Sequence, residues 1–342
     1  MLASPAVTER LRTSFAPLDS PVGDDVLAAT VFSHEAGTLT QHPGGAIANV
    51  QDPRCMRIGL ADLTGAGLAE VWRGNGPVRF GTAGSIRYVE NGDYLAGWLD
   101  LDEARYSGLV ETTEAAYAAL LGFHASSAYP HVWRIWNYIS AINDGAGDEE
   151  RYRLFCVGRA RALAAVPAAG PGIGYPAATA VGNPSGARIL RLSWIAAREP
   201  GLAIESPRQL SAYHYPRRYG PASPSFSRAM LAPGGLLLVS GTASIVGHET
   251  RHEGDPVSQL HETLDNLHAL IERACATGSF RNTRLGADSL LRVYLRHHED
   301  RMAVEQVLRT RVGSSVPTLI LGADICRSGL LVEIEAVHRL ER

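Results

Sequence analysis

The 342-residue chain contains no lysine; all 32 of its basic residues are arginine. A Schiff base with a carbonyl substrate, a pyridoxal phosphate linkage and a Walker-type phosphate loop each need a side-chain amine, so all three are excluded. Arginine offers instead a planar fork matched to carboxylates, and it does not act as a base near neutral pH. Genome composition accounts for most of the lysine-free total. Cysteine is also scarce. Cys55, Cys156, Cys275 and Cys326 are widely separated with no CxxC pair, which speaks against a metal or redox pair and for reduced thiols. No stretch approaches the roughly 18–20 uncharged apolar residues of a membrane span. The first 18 residues scatter their charges and have no apolar h-region, so no signal peptide and a cytoplasmic location are expected. Charge of one sign is lacking too: the net charge is −3 and the pI about 6.5. Without a basic stripe or a charged tail, nucleic acid and membrane are not expected partners.

What is present reads as globular. The hydrophobic fraction is 45% and the charged fraction 20%, and the length suffices for two domains with cores of their own. The first 70 or so residues mix short apolar runs with Gly, Pro and Asp and predict short strands and loops. Beyond them, residues 85–89 and 94–99 flank the turn signal Glu90-Asn91-Gly92-Asp93 and predict two strands. Residues 111–123 predict a helix, 131–139 a strand, 149–165 a helix and 188–197 a strand, with a Gly/Pro-rich loop at 167–176. The second half replays this order. Strands are predicted at 235–241, 290–296, 317–321 and 330–337, and helices at 256–276 and 301–312. Each half runs strand, helix, strand, helix, strand, strand, an α+β arrangement with a sheet on one side and helices on the other. The duplication is one of architecture, and Pro200-Gly201 with the Pro-rich stretch 207–224 marks the expected boundary.

Several motifs need weighing. His248-Glu249-Thr250-Arg251-His252 matches HExxH, but a zinc site needs that motif on a helix with both histidines one turn apart. Here it follows a strand and Gly247 and precedes Pro256, a first-turn proline, so a strand-end loop and no metal are expected. Residues 170–174, GPGIG, neither follow a strand nor open a helix, and a connector is the simpler reading. In residues 131–143, HVWRIWNYISAIN, the aromatics suit a core strand; a buried Arg134 would need a partner there, which a ligand carboxylate could supply. Residues 213–221, YHYPRRYGP, read either as a polar linker or as a pocket wall of phenols and guanidiniums for an anion. In residues 330–337, LLVEIEAV, Glu333 and Glu335 share one strand face. Burial would raise a carboxyl pKa and make a general acid, yet the pattern alone favours a solvated face.

This terminal VEIEAV resembles the closing strand of the RidA (YjgF-like) family. LLLVSG at 236–241 resembles its SGQ strand, and residues 260–270, with LDN at 264–266, resemble its long helix. Pro317 stands at its Pro-x-Arg-Ser element, but Thr318 and Leu319 occupy the place of the deaminases' substrate-binding Arg, which speaks against enamine or imine deamination. Over its full length the chain is more similar to the chorismatases, which are built on RidA-like domains. The matching stretches are WNYISAIN (136–143), YRLFCVGRARAL (152–163), PAAT (176–179), HYPRRYGP (214–221), SGTASIVGH (240–248) and LLVEIE (330–335).

The resemblance implies two RidA-like (YjgF/chorismate-mutase-like) sheet-plus-helices domains in one chain: an N-terminal one with an extension over residues 1–200, and a C-terminal catalytic one over 201–342. It implies cleavage of chorismate to pyruvate and 3-hydroxybenzoate, with 4-hydroxybenzoate as a second product. The hydroxybenzoate formers carry Gly and Cys at two pocket positions, here Gly241 and Cys326, where the hydrolases have Ala at both. The alternatives are a chorismate hydrolase giving a dihydroxycyclohexadiene carboxylate, a RidA-type deaminase, or a non-catalytic metabolite-binding module. By the same resemblance Glu333 is the catalytic acid, and Cys326 guides the ring hydroxyl or the intermediate. Arg134, Arg159 and Arg228 are candidates to hold the two carboxylates, Tyr215 and Tyr219 to add hydrogen bonds, and Gly241 and Ala243 to border the substrate. No metal or organic cofactor is required, and a monomer or small homo-oligomer is expected.

Overall fold

Residues 94–102 and 189–197 alternate in the two faces they present, and both faces are apolar, as strands covered on both sides must be. In the computed structural model, which describes residues 11–33, 46–47, 49, 51–166, 175–183 and 187–341, they pair antiparallel at the centre of a seven-stranded sheet. Its order is Arg79–Ala83, Ile86–Glu90, Tyr94–Asp102, Ile189–Ala197, His131–Ser140, Ala177–Asn183 and Asp324–Ile325. The only parallel pairing in it joins His131–Ser140 to Ala177–Asn183, and two helices lead into those strands, α1 (Leu109–Ser126) and α2 (Arg151–Ala164).

A second seven-stranded sheet has the order Leu202–Ile204, Ala229–Ala232, Leu236–Ala243, Val332–Arg339, Ser289–Leu295, Thr318–Gly322 and Ala61–Asp62. Its one parallel pair, Ser289–Leu295 with Thr318–Gly322, is again fed by two helices, α3 (Pro256–Gly278) and α4 (Arg301–Arg311). The same connectivity occurs twice, which is the duplication expected from the order of elements. Each sheet is closed on its parallel side by a two-residue strand from elsewhere in the chain. Strands Arg12–Pro17, Leu68–Arg73, Val26–Phe32 and Cys55–Ile58 form a separate four-stranded sheet with a small core around Val26, Val31 and Val71.

The helices lie on the outer faces. α3 begins at Asp255, whose carboxylate accepts hydrogen bonds from the Val257 and Ser258 N–H groups, with Pro256 in its first turn. Its buried stripe, Leu260, Leu264, Leu267 and Ile271, packs on Val239, Val293 and Ile334 of the second sheet. Each such side chain contributes about 1.5–3 kcal/mol relative to exposure. α1 and α2 pack likewise on the first sheet through Leu120, Tyr117, Phe155, Ile135 and Leu192. The inner faces of the two sheets meet around Trp98, Trp136, Tyr138, Leu238 and Tyr294.

Predicted elements are found within a few residues of their expected bounds. The differences have physical reasons. Residues 177–183, AATAVGN, were assigned no element because small residues carry little β propensity; they form a strand because their neighbours supply the pairing. The loop predicted at 167–176 lies outside the described residues up to residue 174, including GPGIG. The Pro-rich stretch 207–224 expected at the boundary holds only the single turns Ala212–His214 and Arg217–Tyr219, and the strands Leu202–Ile204 and Ala229–Ala232 flank it.

Candidate active site

The strand Val332–Arg339 ends the sequence but sits in the middle of its sheet, hydrogen-bonded to Leu236–Ala243 on one side and Ser289–Leu295 on the other. Glu333 and Glu335 therefore point into the space between the two sheets and are only 4% and 5% exposed. The solvated face favoured by pattern alone is overturned: alternation reveals which residues share a face, not what covers it.

Glu335 is a fully engaged carboxylate. It receives Arg134 at 2.6 Å, Arg292 at 2.8 Å, the Thr179 hydroxyl at 2.6 Å and the Trp136 indole N–H at 2.9 Å. Arg292 also binds Glu70 from the amino-terminal sheet, and Glu70 in turn accepts the Trp72 indole N–H. Burial alone would push the Glu335 carboxyl up, but the guanidiniums of Arg292 and Arg134 and these hydrogen bonds hold it below its ordinary range.

Glu333, two residues away, has the opposite environment. Burial pushes its carboxyl up to about 8; the charge of Glu335 adds to this, and Arg134, Arg228 and Arg296 oppose it. The carboxyl is thus protonated at neutral pH, as a general acid must be. Opposite it the ladder is irregular. Val239 pairs with Ala336 and Thr242 with Ile334, so three steps on one strand meet two on the other, a bulge at Ser240–Gly241. The Gly241 N–H donates to Thr179 Oγ1 at 3.0 Å. A Cβ on residue 241 would overlap Glu333 Oε1 and come within 2.8 Å of its Cδ, so any side chain there would force the carboxyl to shift.

Glu333 opens onto a cavity of about 230 Å³. Of the residues singled out from the sequence, Tyr215, Tyr219, Arg228, Gly241, Ala243 and Cys326 line it together with Glu333. Arg159 lines a narrower annex that shares Gly241, Cys326 and Glu333 with the main cavity. Arg134 lines neither space; its partner is Glu335, so the carboxylate expected from a ligand is supplied by the protein itself. Arg159 and Arg228 are buried and form no ion pair with a carboxylate among the described residues, although Glu205 is near enough to Arg228 for the two to attract. Arg228 donates to Leu210 O and the Tyr215 hydroxyl, Arg159 lies over Phe155, and the Nε of each is unpartnered. Burial pushes the Cys326 thiol up to about 12, with the neighbouring Glu333 adding to it, so it is present as S–H.

Sequence reasoning missed Arg327, which also lines the main cavity. Its guanidinium stacks over Tyr219 at 4.1 Å and Tyr215 at 5.1 Å and is held by His248 O and Thr250. Its position directly after Cys326 was the only available signal. Thr179 and Tyr152 were missed as well, the first because its strand was not recognised. The HExxH stretch carries a two-residue ladder, Ile245–Val246 with Glu249–Thr250, and no helix. His248 bonds Arg218 and His252 faces Glu262, so the two rings are held by different neighbours. Among the described residues no three His, Cys, Asp or Glu side chains are grouped to hold a metal, and no helix is long and apolar enough to cross a membrane.

Comparison with known proteins identifies the family. Residues 70–196 match the family model described as "Chorismatase FkbO/Hyg5-like, N-terminal". A 3-hydroxybenzoate synthase of Streptomyces hygroscopicus is 38% identical over 295 residues, 82% of this chain and 84% of that protein. A chorismatase of Streptomyces rapamycinicus is 37% identical over 330 residues, 92% and 93% of the two. A chorismatase crystal structure at 1.08 Å resolution superposes with a TM-score of 0.82 at 33% identity, covering 97% of this chain and 99% of that one. The chain belongs to the chorismatase family.

Proposed function

We propose that this enzyme converts chorismate to 3-hydroxybenzoate and pyruvate, with Glu333 as the general acid. The observation that carries this reading is a neutral, buried carboxyl on a cavity bordered by guanidiniums that have no carboxylate of their own. Chorismate supplies what such a site lacks: two carboxylates and an acid-labile enol ether. Arg159 in the annex and Arg228 with Arg327 in the main cavity border two spaces that both reach Glu333, and suit one carboxylate each. Tyr215 and Tyr219 keep two of these guanidiniums in place.

Glu333 delivers its proton to the enol-ether methylene carbon, which becomes the methyl group of pyruvate. The oxocarbenium ion so formed lies beside the newly ionised carboxylate, which stabilises it electrostatically. The neighbouring ring hydroxyl oxygen attacks the ether-bearing ring carbon as the C–O bond to the departing pyruvate breaks. This gives an epoxide and returns the hydroxyl proton to Glu333. The epoxide then opens so that its oxygen stays on the former ether carbon, which gives up its hydrogen as the ring aromatises to the phenol. Substrate and the two products contain the same atoms, so no water is consumed overall. Cys326, as a thiol beside Glu333, guides the ring hydroxyl, and with Gly241 it favours hydroxybenzoate; 4-hydroxybenzoate is a minor product. Incubation of the purified protein with chorismate should release pyruvate and hydroxybenzoate in equal amounts, measured by a lactate dehydrogenase couple and by chromatography. Absence of pyruvate sinks the reading, and pyruvate with a diene diol carboxylate instead of hydroxybenzoate reassigns the product.

Gly241 gives a sharper test. The methyl group of Gly241→Ala must displace the Glu333 carboxyl or the strand that carries it. A shift on the order of 1 Å at the reacting group lowers rate by about 10²-fold. The loss should appear in kcat rather than in KM, because the arginines that bind the carboxylates are untouched; an unchanged kcat would show that the acid tolerates the displacement.

A further inference from the structure

Glu335 does not reach the cavity, yet its surroundings bear on the group that does. We propose that Glu335 is a positioning residue that occupies Arg134 as its counter-ion and thereby leaves Glu333 in its neutral, proton-carrying form. This deepens the assignment of Glu333 as the acid and rests on it.

The argument is one of competing counter-ions. Glu333 faces charged groups from every element packed against it: Glu335 on its own strand, Arg134 from the His131–Ser140 strand, Arg228 ahead of the Ala229–Ala232 strand, Arg296 after the Ser289–Leu295 strand, Arg159 from α2, and Cys326 and Arg327 from the loop before its own strand. Each guanidinium pulls a nearby buried carboxyl toward its ionised form, more strongly when it has no other carboxylate; Arg228 does so here, and burial outweighs it. Two of them already have a carboxylate partner other than Glu333. Arg296 is tied to Asp324 at 2.6 Å and to Asn143 at 3.0 Å. Arg134, only 2% exposed, is tied to Glu335 at 2.6 Å and has an Nη1 with no partner.

The group that holds Arg134 is itself held. Arg292 bridges Glu335 and Glu70, and the hydroxyls of Tyr138 and Tyr294 lie 3.4 and 3.1 Å from its Nη1. Two guanidiniums and two carboxylates close a neutral buried set, leaving no cation in it for Glu333. Thr179 links this set to the site: its hydroxyl donates to Glu335 and accepts from Arg134 and from the Gly241 N–H. The negative charge of Glu335, fixed by its partners, further disfavours ionisation of Glu333.

Substitution at Glu335 separates this from a purely structural role. In Glu335→Gln, Arg134 loses its carboxylate and draws on Glu333. The midpoint of Glu333 ionisation should fall by about one pH unit or more, the size expected when a like charge is removed and an opposite one is freed. It is read by infrared difference spectroscopy on 13C-glutamate-labelled protein, with Glu333→Gln identifying the band. The alkaline limb of pyruvate release should move with it, so that turnover lost at pH 8 is recovered at lower pH; a structural defect would depress turnover equally at all pH values. If Glu335→Gln does not fold, Arg134→Met carries the test, and there the midpoint should rise. An unchanged midpoint, or a shift of the opposite sign, overturns the proposal. Full activity of Glu333→Gln would instead overturn the acid assignment, whatever the midpoints do.

Discussion

Glu333→Gln should lower pyruvate release by about 10³-fold or more below pH 8, since it removes both the proton and the charge that follows it, and the gap should narrow above pH 8 as the wild type loses its proton. KM should change little, because Gln keeps the shape of the side chain and the arginines remain. In the wild type, kcat should be flat below pH 8 and fall about tenfold per unit above it, as the acid, with its carboxyl raised to about 8, loses its proton. Rates measured from pH 5 to 10 check both points, and a wild-type rate that rises through pH 8 would mean that the group acts as a base.

The same substitution should stabilise the protein. With its carboxyl raised from the ordinary 4.5 to about 8, the folded state binds a proton that the unfolded state has released between those values. Stability attributable to this group is therefore present below pH 4.5 and is lost as pH rises to about 8. The loss approaches roughly 5 kcal/mol on the rule of about 1.4 kcal/mol per pH unit. Gln carries no such penalty, so denaturant midpoints of the two proteins should converge near pH 4 and diverge, in favour of Glu333→Gln, by pH 8. Catalysis and stability thus pull in opposite directions at one residue.

Arg292→Met is expected to have the largest effect on stability. Arg292 is 1% exposed and serves Glu335 and Glu70 together, one from the terminal strand and one from the amino-terminal sheet. Removing it leaves Glu70 with no arginine partner and Glu335 with Arg134 alone, which costs about 3–5 kcal/mol when one member of a buried ion pair is lost. The loss should be smaller at pH 5 than at pH 8, because a carboxyl deprived of its cation takes up a proton more readily and the penalty grows as pH rises. Urea denaturation at the two pH values measures it. A loss below about 1 kcal/mol at pH 8 would mean that water, or another cation, replaces the guanidinium.

Much of the fold was legible in the sequence because the strong signals are local. The apolar period of α3 with its Asp255-Pro256 start, the alternation in residues 94–102 and the repeated order of elements need no knowledge of distant partners. The strand Ala177–Asn183 was illegible because its small residues are made a strand by pairing with His131–Ser140. Candidate residues of the site were legible through the resemblance to the chorismatases, but their electrostatics were not. Arg134 seemed a ligand-binding residue and is a counter-ion of Glu335; Arg327 carried no pattern and lines the cavity.

By itself the sequence determined the chemistry available to this protein: arginine forks without a single amine, a glycine where a carboxyl must pass, and two glutamates on one strand face. Only the tertiary structure decided which of those glutamates is charged. Both are buried to the same degree, so burial cannot distinguish them. Glu335 meets two guanidiniums, a hydroxyl and an indole, whereas Glu333 meets a glycine, a thiol and an open cavity, and that difference in partners leaves one an anion and the other an acid.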